Sequence, residues 1–240
     1  MIKHIMFDLD GTLLAIGLDD LINTYMSLLA EKMAKLGYDP KQSVKAVWVG
    51  TEAMLKNNGE QTNREAFWQA FATMGLGDVS LIEQQVDVFY TNEFCQIQKV
   101  VRQQRNLKAM ITALKEKGYT LSLATSPIFP FVGIQERLSW VGLTPDDFFL
   151  VTSYENSHYC KPNLKYYQEV MEKAGFTPEE TMMVGNDLSD DMPVEALGVK
   201  TFLVTDILEH ETPDYQQKYT HGAFTQLQEF LENLPNIKDE

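Results

Sequence analysis

From residue 106 onward the sequence alternates between short apolar runs and amphipathic helical stretches, and that alternation restricts the fold more than any other feature of the chain. Over 106–117, Leu107, Met110, Ile111 and Leu114 recur at helical spacing, and Gly118 follows as a stop. A strand is expected over 119–124, then a helix near 131–141, a strand near 148–151, a helix over 164–174, a strand over 181–184, a helix from about 190 to 197 and a strand over 200–204. Strand–helix–strand units in series imply a parallel, doubly wound α/β sheet with right-handed crossovers. The apolar run 2–7 reads as a further buried strand, and it stops abruptly at Asp8-Leu9-Asp10-Gly11-Thr12.

Between that first strand and the rest of the sheet lies a long stretch of helical character. From Leu18 to about Phe94, Leu21, Tyr25, Leu28 and Leu29 share a face, as do Phe67, Phe71 and Met74, and then Ile82, Val86 and Phe89. The expected organisation is an α/β core formed by residues 1–14 and 96–240, with an all-helical insertion over 15–95 that folds over the C-terminal edge of the sheet as a cap domain. Residues 209–219 are polar and irregular, and a last amphipathic helix carrying Phe224, Leu227, Phe230 and Leu231 is expected to pack on the core.

A chain of 240 residues suits one core domain with a sizeable insertion, and 44% apolar against 22% charged residues is ordinary for a folded globular protein. The formal net charge of −14 opposes binding to nucleic acid or to anionic membranes, and neither is expected as a partner. The same charge repels a phosphorylated small molecule, so a site for one requires local positive charge from a metal or a lysine. Cys95 and Cys160 are too few for a disulfide framework and read as free thiols in a reducing compartment. No signal-peptide pattern follows Met1, and no apolar run approaches the roughly 20 residues of a membrane span. The expectation is a cytoplasmic protein, with monomer and small homo-oligomer both open.

Ligands of such sheets bind beyond the carboxyl ends of the strands. Four polar clusters fall there: Asp8-Leu9-Asp10-Gly11-Thr12, then Thr125-Ser126, then Lys161-Pro162, and finally Gly185-Asn186-Asp187-Leu188-Ser189-Asp190-Asp191. In this order and spacing they resemble the signature of the haloacid dehalogenase (HAD)-like hydrolase superfamily of aspartate-nucleophile phosphotransferases, in its phosphoglycolate-phosphatase-like branch with a helical cap. The resemblance covers roughly 1–14 and 105–205; over the cap it is one of position and helical character only. The first cluster is the most specific of the four and Lys161-Pro162 the least. What the resemblance implies is a Rossmann-like HAD core and an Mg2+-dependent phosphatase that hydrolyses small phosphorylated metabolites through an aspartyl-phosphate.

The residues support a physical reading beside the resemblance. Two carboxylates two residues apart at a strand end repel unless a cation lies between them; Asp8 can then attack phosphorus while Asp10 handles protons. The family implies that the backbone carbonyl of Asp10 also reaches the metal. Gly11 permits the tight turn that Thr12 holds by a hydrogen bond. Asp187 and Asp191 lie four apart, so a helix starting between them turns both toward one site, with Asp187 on the ion and Asp191 orienting a metal-bound water or Asp187 itself. Asp8, Asp10 and Asp187 thus form the metal set, and an all-oxygen set suits Mg2+ rather than zinc. Lys161 supplies the second positive charge, paired with Asp8 and a phosphate oxygen. Thr125 matches the family's phosphate-binding hydroxyl, Ser126 stands beside it, and the amides of Leu9 and Ser126 complete the phosphate cradle.

Plainer readings compete at each position. Asp-x-Asp-Gly-Thr alone is good turn chemistry, an isolated lysine is usually a surface residue, and acidic residues at a helix start usually cap it. Asp190 competes with Asp191, whose spacing of four from Asp187 favours it. His4, His158, His210 and His221 lack metal-ligand spacing and read as structural or solvated. Cys160 reads as a small packed residue, and Trp48, Phe67, Trp68 and Phe71 as helix core. Substrate selection is expected at 13–17 and on the inner surface of the cap. A sugar-phosphate mutase with the same aspartate pair is one rival, and a non-catalytic metabolite- or protein-binding member is another. A dehalogenase is disfavoured by the presence of Asp10 with Gly11-Thr12.

Overall fold

In the computed structural model, which describes residues 1–238, the elements run β1 (His4–Phe7), α1 (Leu18–Lys35), α2 (Pro40–Leu55), α3 (Asn63–Ala72), α4 (Val79–Asn92), α5 (Lys108–Glu116), β2 (Thr120–Leu123), α6 (Phe131–Ser139), β3 (Leu150–Val151), α7 (Leu164–Ala174), β4 (Thr181–Gly185), β5 (Lys200–Val204), α8 (Tyr215–Lys218), β6 (His221–Gly222) and α9 (Phe224–Glu232). The six strands form one parallel sheet in the order β3-β2-β1-β4-β5-β6. β1 is central, and its residues alternate between two apolar layers: Ile5 and Phe7 join the larger core with Leu121, Leu123 and Val184, while Met6 joins Met183, Tyr166 and Val170. Because the strand order reverses at β1, a crevice opens at its C-terminal end between the β2 and β4 sides.

Register makes that crevice definite. Phe7 is level with Leu123 on one neighbour and with Val184 on the other, so Asp8 and Ala124 leave the sheet side by side next to Gly185, the last residue of β4. The expected doubly wound sheet is therefore present, with two local differences. The stretch 190–197 is not an α-helix but a 3-10 helix, Met192–Leu197, with Pro193 in its first turn and Gly198 ending it in a left-handed conformation. The stretch 209–219, expected to be irregular, contains α8, and just beyond it lies the sixth strand, whose two residues are too short to leave a pattern.

The helical block is built from locally signalled helices. Asp39 caps α2 with Pro40 at its first position, Thr62 and Glu65 form a capping box on α3, and Asp78 caps α4. Aromatic rings join the block to the sheet layers: Tyr25 of α1 lies 5.3 Å from Phe129, Phe94 lies 6.0 Å from Trp140, and α4 approaches α6 so closely at Gly133 that a side chain there would run into the Tyr90 ring. The chain leaves β1 and returns beside itself. Ala15 pairs antiparallel with Gln103, the Arg102 N–H donates to the Ala15 carbonyl at 2.7 Å, and Arg105 donates to the Thr12 carbonyl at 2.6 Å. Among the described residues no helix is long and apolar enough to cross a membrane.

His4, expected to be structural or solvated, is structural. It is buried in the sheet with Nε2 2.8 Å from Ser122 Oγ and Nδ1 3.3 Å from Thr181 Oγ1, and its ring stacks on Phe176. Burial pushes its pKa down to about 4. The folded state then binds fewer protons than the unfolded one between pH 6.5 and 4, so this contribution is complete above pH 6.5 and is lost as pH falls through that window. The expected result is a loss of about 2 kcal/mol between pH 7 and pH 5 from this group alone, measured as urea midpoints at the two pH values and absent from that difference in His4→Gln.

Candidate active site

Two strand-end loops interlock to form the floor of the crevice. Gly11 sits at φ +87° with no room for a side chain against the Asn186 carboxamide, so the first turn can close only around glycine. The Thr12 hydroxyl donates to Asn186 Oδ1 at 2.9 Å and lies 3.2 Å from Asp8 Oδ2, while Asn186 Nδ2 donates to the Ile207 carbonyl at 2.7 Å. Thr12 therefore holds the turn as expected. It also ties the loop after β1 to the loop after β4, a link through Asn186 that the sequence reading did not anticipate.

Lys161 is buried between two carboxylates, its Nζ 2.8 Å from Asp8 Oδ1 and 2.6 Å from Asp191 Oδ1. Burial works against its ammonium but is outweighed by Asp191 and Asp8, and its pKa lies well above the ordinary value. Burial also pushes the Asp191 carboxyl up, to about 7, against the pull of Lys161 and the backbone N–H groups. Its Oδ2 accepts the N–H groups of Asn186 and Asp187, both at 3.0 Å, so every partner it has is a donor and the ionised form is the one its surroundings fit. Asp191, rather than its neighbour Asp190, is thus the residue that shapes the loop carrying Asp187.

Asp187 accepts the N–H groups of Ser189 at 2.7 Å and Asp190 at 3.0 Å, and His210 Nδ1 lies 2.9 and 3.0 Å from its two oxygens. The hydrogen bond and charge of Asp187 raise the pKa of the exposed His210. His210, expected to be structural or solvated, is exposed, and its ring also reaches back to Asp187 from far along the polar tail. The tail comes back because Glu209 exchanges backbone hydrogen bonds with Asn186 and Leu188.

Asp10 lies on the same crevice, but its carboxylate is ion-paired with Arg137 of α6, whose side chain is fully buried and rests over the Phe129 ring. Asp10 Oδ1 and Arg137 Nη2 are buried with no hydrogen-bond partner in the protein. Burial raises the Asp10 pKa, opposed by Arg137 and reinforced by Asp8. Arg137 was missed at the sequence level. The available signal was its position, three residues after Ile134 and one before Leu138, on the face of the helix that packs inward.

One cavity of about 70 Å3 brings Asp8, Asp10, Thr125, Ser126, Lys161 and Asp187 together, with Asp190 and Asp191 also on its wall. The Thr125 carbonyl is fixed by the hydroxyls of Tyr166 and Thr152, each at 2.8 Å. Leu9 is the exception. Its side chain is in the core and its carbonyl accepts the N–H groups of Thr12 and Leu14, leaving only its amide for the cradle. Of the helix-core expectations, Trp68 and Phe71 are buried but Trp48 is 48% exposed, standing on α2 at the wall of an open cavity rather than in the packed core. Cys160 is buried and reduced, and burial pushes its thiol up to about 12, which suits packing rather than reactivity.

A divalent cation was tested against these residues. Among the described residues no group of three or more His, Cys, Asp or Glu side chains is gathered as a metal site. Magnesium asks for less, since it binds through one or two carboxylates and keeps several waters. The cavity wall carries the carboxylates of Asp8, Asp10, Asp187, Asp190, Asp191 and Glu209 against the single ammonium of Lys161. That excess of carboxylate oxygens suits a hard cation, and of the expected ligands the Asp8 and Asp187 side chains are on this wall.

Fold and site together define an α/β protein whose polar centre is an aspartate at the end of the central strand. The chain belongs to the haloacid dehalogenase-like hydrolase family, whose model matches residues 5–204. It is 28% identical over 200 residues to a phosphoglycolate phosphatase of Haemophilus influenzae, spanning 82% of each chain. It is 24% identical over 221 residues to the pyrophosphatase PpaX of Bacillus mycoides, spanning 89% of this chain and 91% of that one. Among solved structures, a 2-haloacid dehalogenase from Pseudomonas syringae superposes with a TM-score of 0.61 at 20% identity, covering 97% of this chain and 99% of the other. A HAD phosphatase from Thermococcus onnurineus superposes with a TM-score of 0.58 at 20% identity, covering 98% and 100%. These two structures share the fold.

Proposed function

We propose that the chain is an Mg2+-dependent phosphatase of small phosphorylated metabolites in which Asp8 is the nucleophile, with residues 1–14 and 96–240 as catalytic core and 15–95 as cap. The observation that carries this reading is the Lys161–Asp8 ion pair at the mouth of the sheet crevice, beside the Thr125 and Ser126 wall. Lys161 pairs with one oxygen of the Asp8 carboxylate, and the Thr12 hydroxyl reaches the other and fixes its rotation. Thr125, Ser126 and the Leu9 amide orient the phosphoryl group, which is aligned for attack from the Asp8 side.

Asp8 forms a bond to phosphorus as the bond to the leaving oxygen breaks, and Asp10 gives that oxygen its proton; Asp10 then takes a proton from the water that attacks the aspartyl-phosphate, returning Asp8 and releasing phosphate. The raised pKa of Asp10 suits the first of these roles and its ionised, Arg137-paired form suits the second. Bound Mg2+ supplies charge neutralisation for the phosphoryl oxygens and the carboxylate wall.

The test is release of inorganic phosphate from p-nitrophenyl phosphate and a panel of metabolite monoesters. EDTA is expected to reduce release by at least about a hundredfold and Mg2+ to restore it, with no bisphosphate primer required. Metal-independent release would overturn the cofactor reading, and a requirement for primer would point to a mutase.

A further inference from the structure

The carboxylates that the proposed reaction uses are held in two different ways. Asp8 is held by Lys161 and Thr12, and Asp187 by the N–H groups of Ser189 and Asp190 together with His210. Asp10 is held by one side chain, the guanidinium of Arg137, which reaches it from α6. Among the described residues no other hydrogen bond limits the rotation of that carboxylate.

Arg137 is itself fixed from several sides. Its side chain is fully buried, Nε donates to the Gly133 carbonyl at 3.2 Å, and the guanidinium carbon lies 4.4 Å from the centre of the Phe129 ring. Phe129 in turn packs against Tyr25 at 5.3 Å, and the Tyr90 ring stands where a side chain on Gly133 would. From this frame Nη1 extends to Asp10. A group whose own rotamer is locked by packing passes its position on to whatever it holds.

Stability does not account for the arrangement. Taking a guanidinium and a carboxylate out of water is costly, and their attraction offsets the cost only when the remaining donors and acceptors are satisfied as well. Here they are not, since Arg137 Nη2 and Asp10 Oδ1 are both buried without a hydrogen-bond partner. An apolar residue on this inward face of α6 would serve the core at least as well. The arginine is explained by what it does to Asp10.

We infer that Arg137 is a positioning residue for the reaction, setting the rotation of the Asp10 carboxylate against the leaving oxygen in the first step and against the attacking water in the second. The inference rests on the phosphatase reading, with Asp10 as its acid and base. It adds that Arg137 matters to the chemistry only where Asp10 transfers a proton.

Two esters separate this from a structural role: p-nitrophenyl phosphate, whose leaving group departs unprotonated, and the alkyl monoester that the enzyme hydrolyses fastest, whose leaving oxygen needs a proton. For each ester kcat/KM reports the steps up to departure of the leaving group. In Arg137→Gln it is expected to fall about a hundredfold for the alkyl ester and by less than about threefold for p-nitrophenyl phosphate. In Asp10→Asn, which has no such proton to give, adding Arg137→Gln is expected to change the alkyl-ester value by less than about threefold. That double variant removes both buried charges together and is expected to melt above Arg137→Gln. If Arg137→Gln does not fold, Arg137→Lys, which keeps the charge and loses the fork, is expected to show the same selective loss. Equal losses on the two esters, an unchanged alkyl-ester value, or losses that multiply in the double variant overturn the inference while the phosphatase reading stands. Failure of the wild-type enzyme to hydrolyse either ester overturns both.

Discussion

Asp8→Asn is expected to lower phosphate release by about 10^4-fold or more while leaving the protein folded. The amide keeps the size and one acceptor of the carboxylate, so it can still receive the Lys161 hydrogen bond now made at 2.8 Å. It also removes one negative charge from the crowded wall. What it removes chemically is the anionic oxygen that bonds to phosphorus, since the neutral amide oxygen is a poor nucleophile. The melting temperature should stay within about 4 °C of wild type, and acid-quenched wild-type enzyme should carry a phosphoryl adduct on the peptide containing Asp8. Asp10→Asn retains the nucleophile but lacks the proton donor of the first step and the base of the second, so the adduct should accumulate in that variant with p-nitrophenyl phosphate, whose leaving group departs without protonation. Activity in Asp8→Asn within tenfold of wild type would remove Asp8 from the mechanism.

Lys161→Met should damage both function and fold. The ammonium now separates two buried carboxylates, and without it Asp8 and Asp191 face one another in a site that is almost closed to solvent. Leaving a buried charge without its partner costs about 3–5 kcal/mol, which corresponds to a melting temperature lower by about 10 °C for a chain of this size. Phosphate release should fall by about 10^2–10^3-fold, because the same charge faces the phosphoryl oxygens. The double variant Lys161→Met with Asp191→Asn should recover much of the stability, since one of the two repelling charges is gone, and little of the activity. Wild-type stability in the single variant would show that the buried pair does not hold the loop after β4.

Most of the sheet was legible because its strands and covering helices carry their own patterns. α7 and β5 begin and end where periodicity places them, with Asn163 capping the first and Gly175 closing it. Asp8, Thr125 and Asp187 were legible because a polar residue just past a buried strand has few purposes other than chemistry or turn formation, whereas Lys161 and Asp191, farther along their loops, were picked out by the family resemblance and by the spacing from Asp187. Arg137 was not, since its meaning depends on Asp10, far away in sequence, lying across α6 from it. His210 was hidden for a similar reason: the loop that carries it is positioned by backbone pairing of Glu209 with Asn186, which leaves no mark on side-chain pattern. The 3-10 helix after Asp191 was signalled by Pro193 but masked by the apolar spacing around it.

The antiparallel bridge between Ala15 and Gln103 has a consequence for how such a chain diversifies. A segment whose two ends are hydrogen-bonded to each other enters and leaves the sheet at a fixed doorway, and makes further demands at the ring contacts of Phe129, Gly133 and Trp140. The entropy of closing a longer or shorter excursion changes only slowly with its length. The helices between those two residues can therefore be exchanged, extended or trimmed by recombination without shifting the alignment of Phe7 with Leu123 and Val184. New substrate preferences can then be grafted onto an unaltered reaction centre.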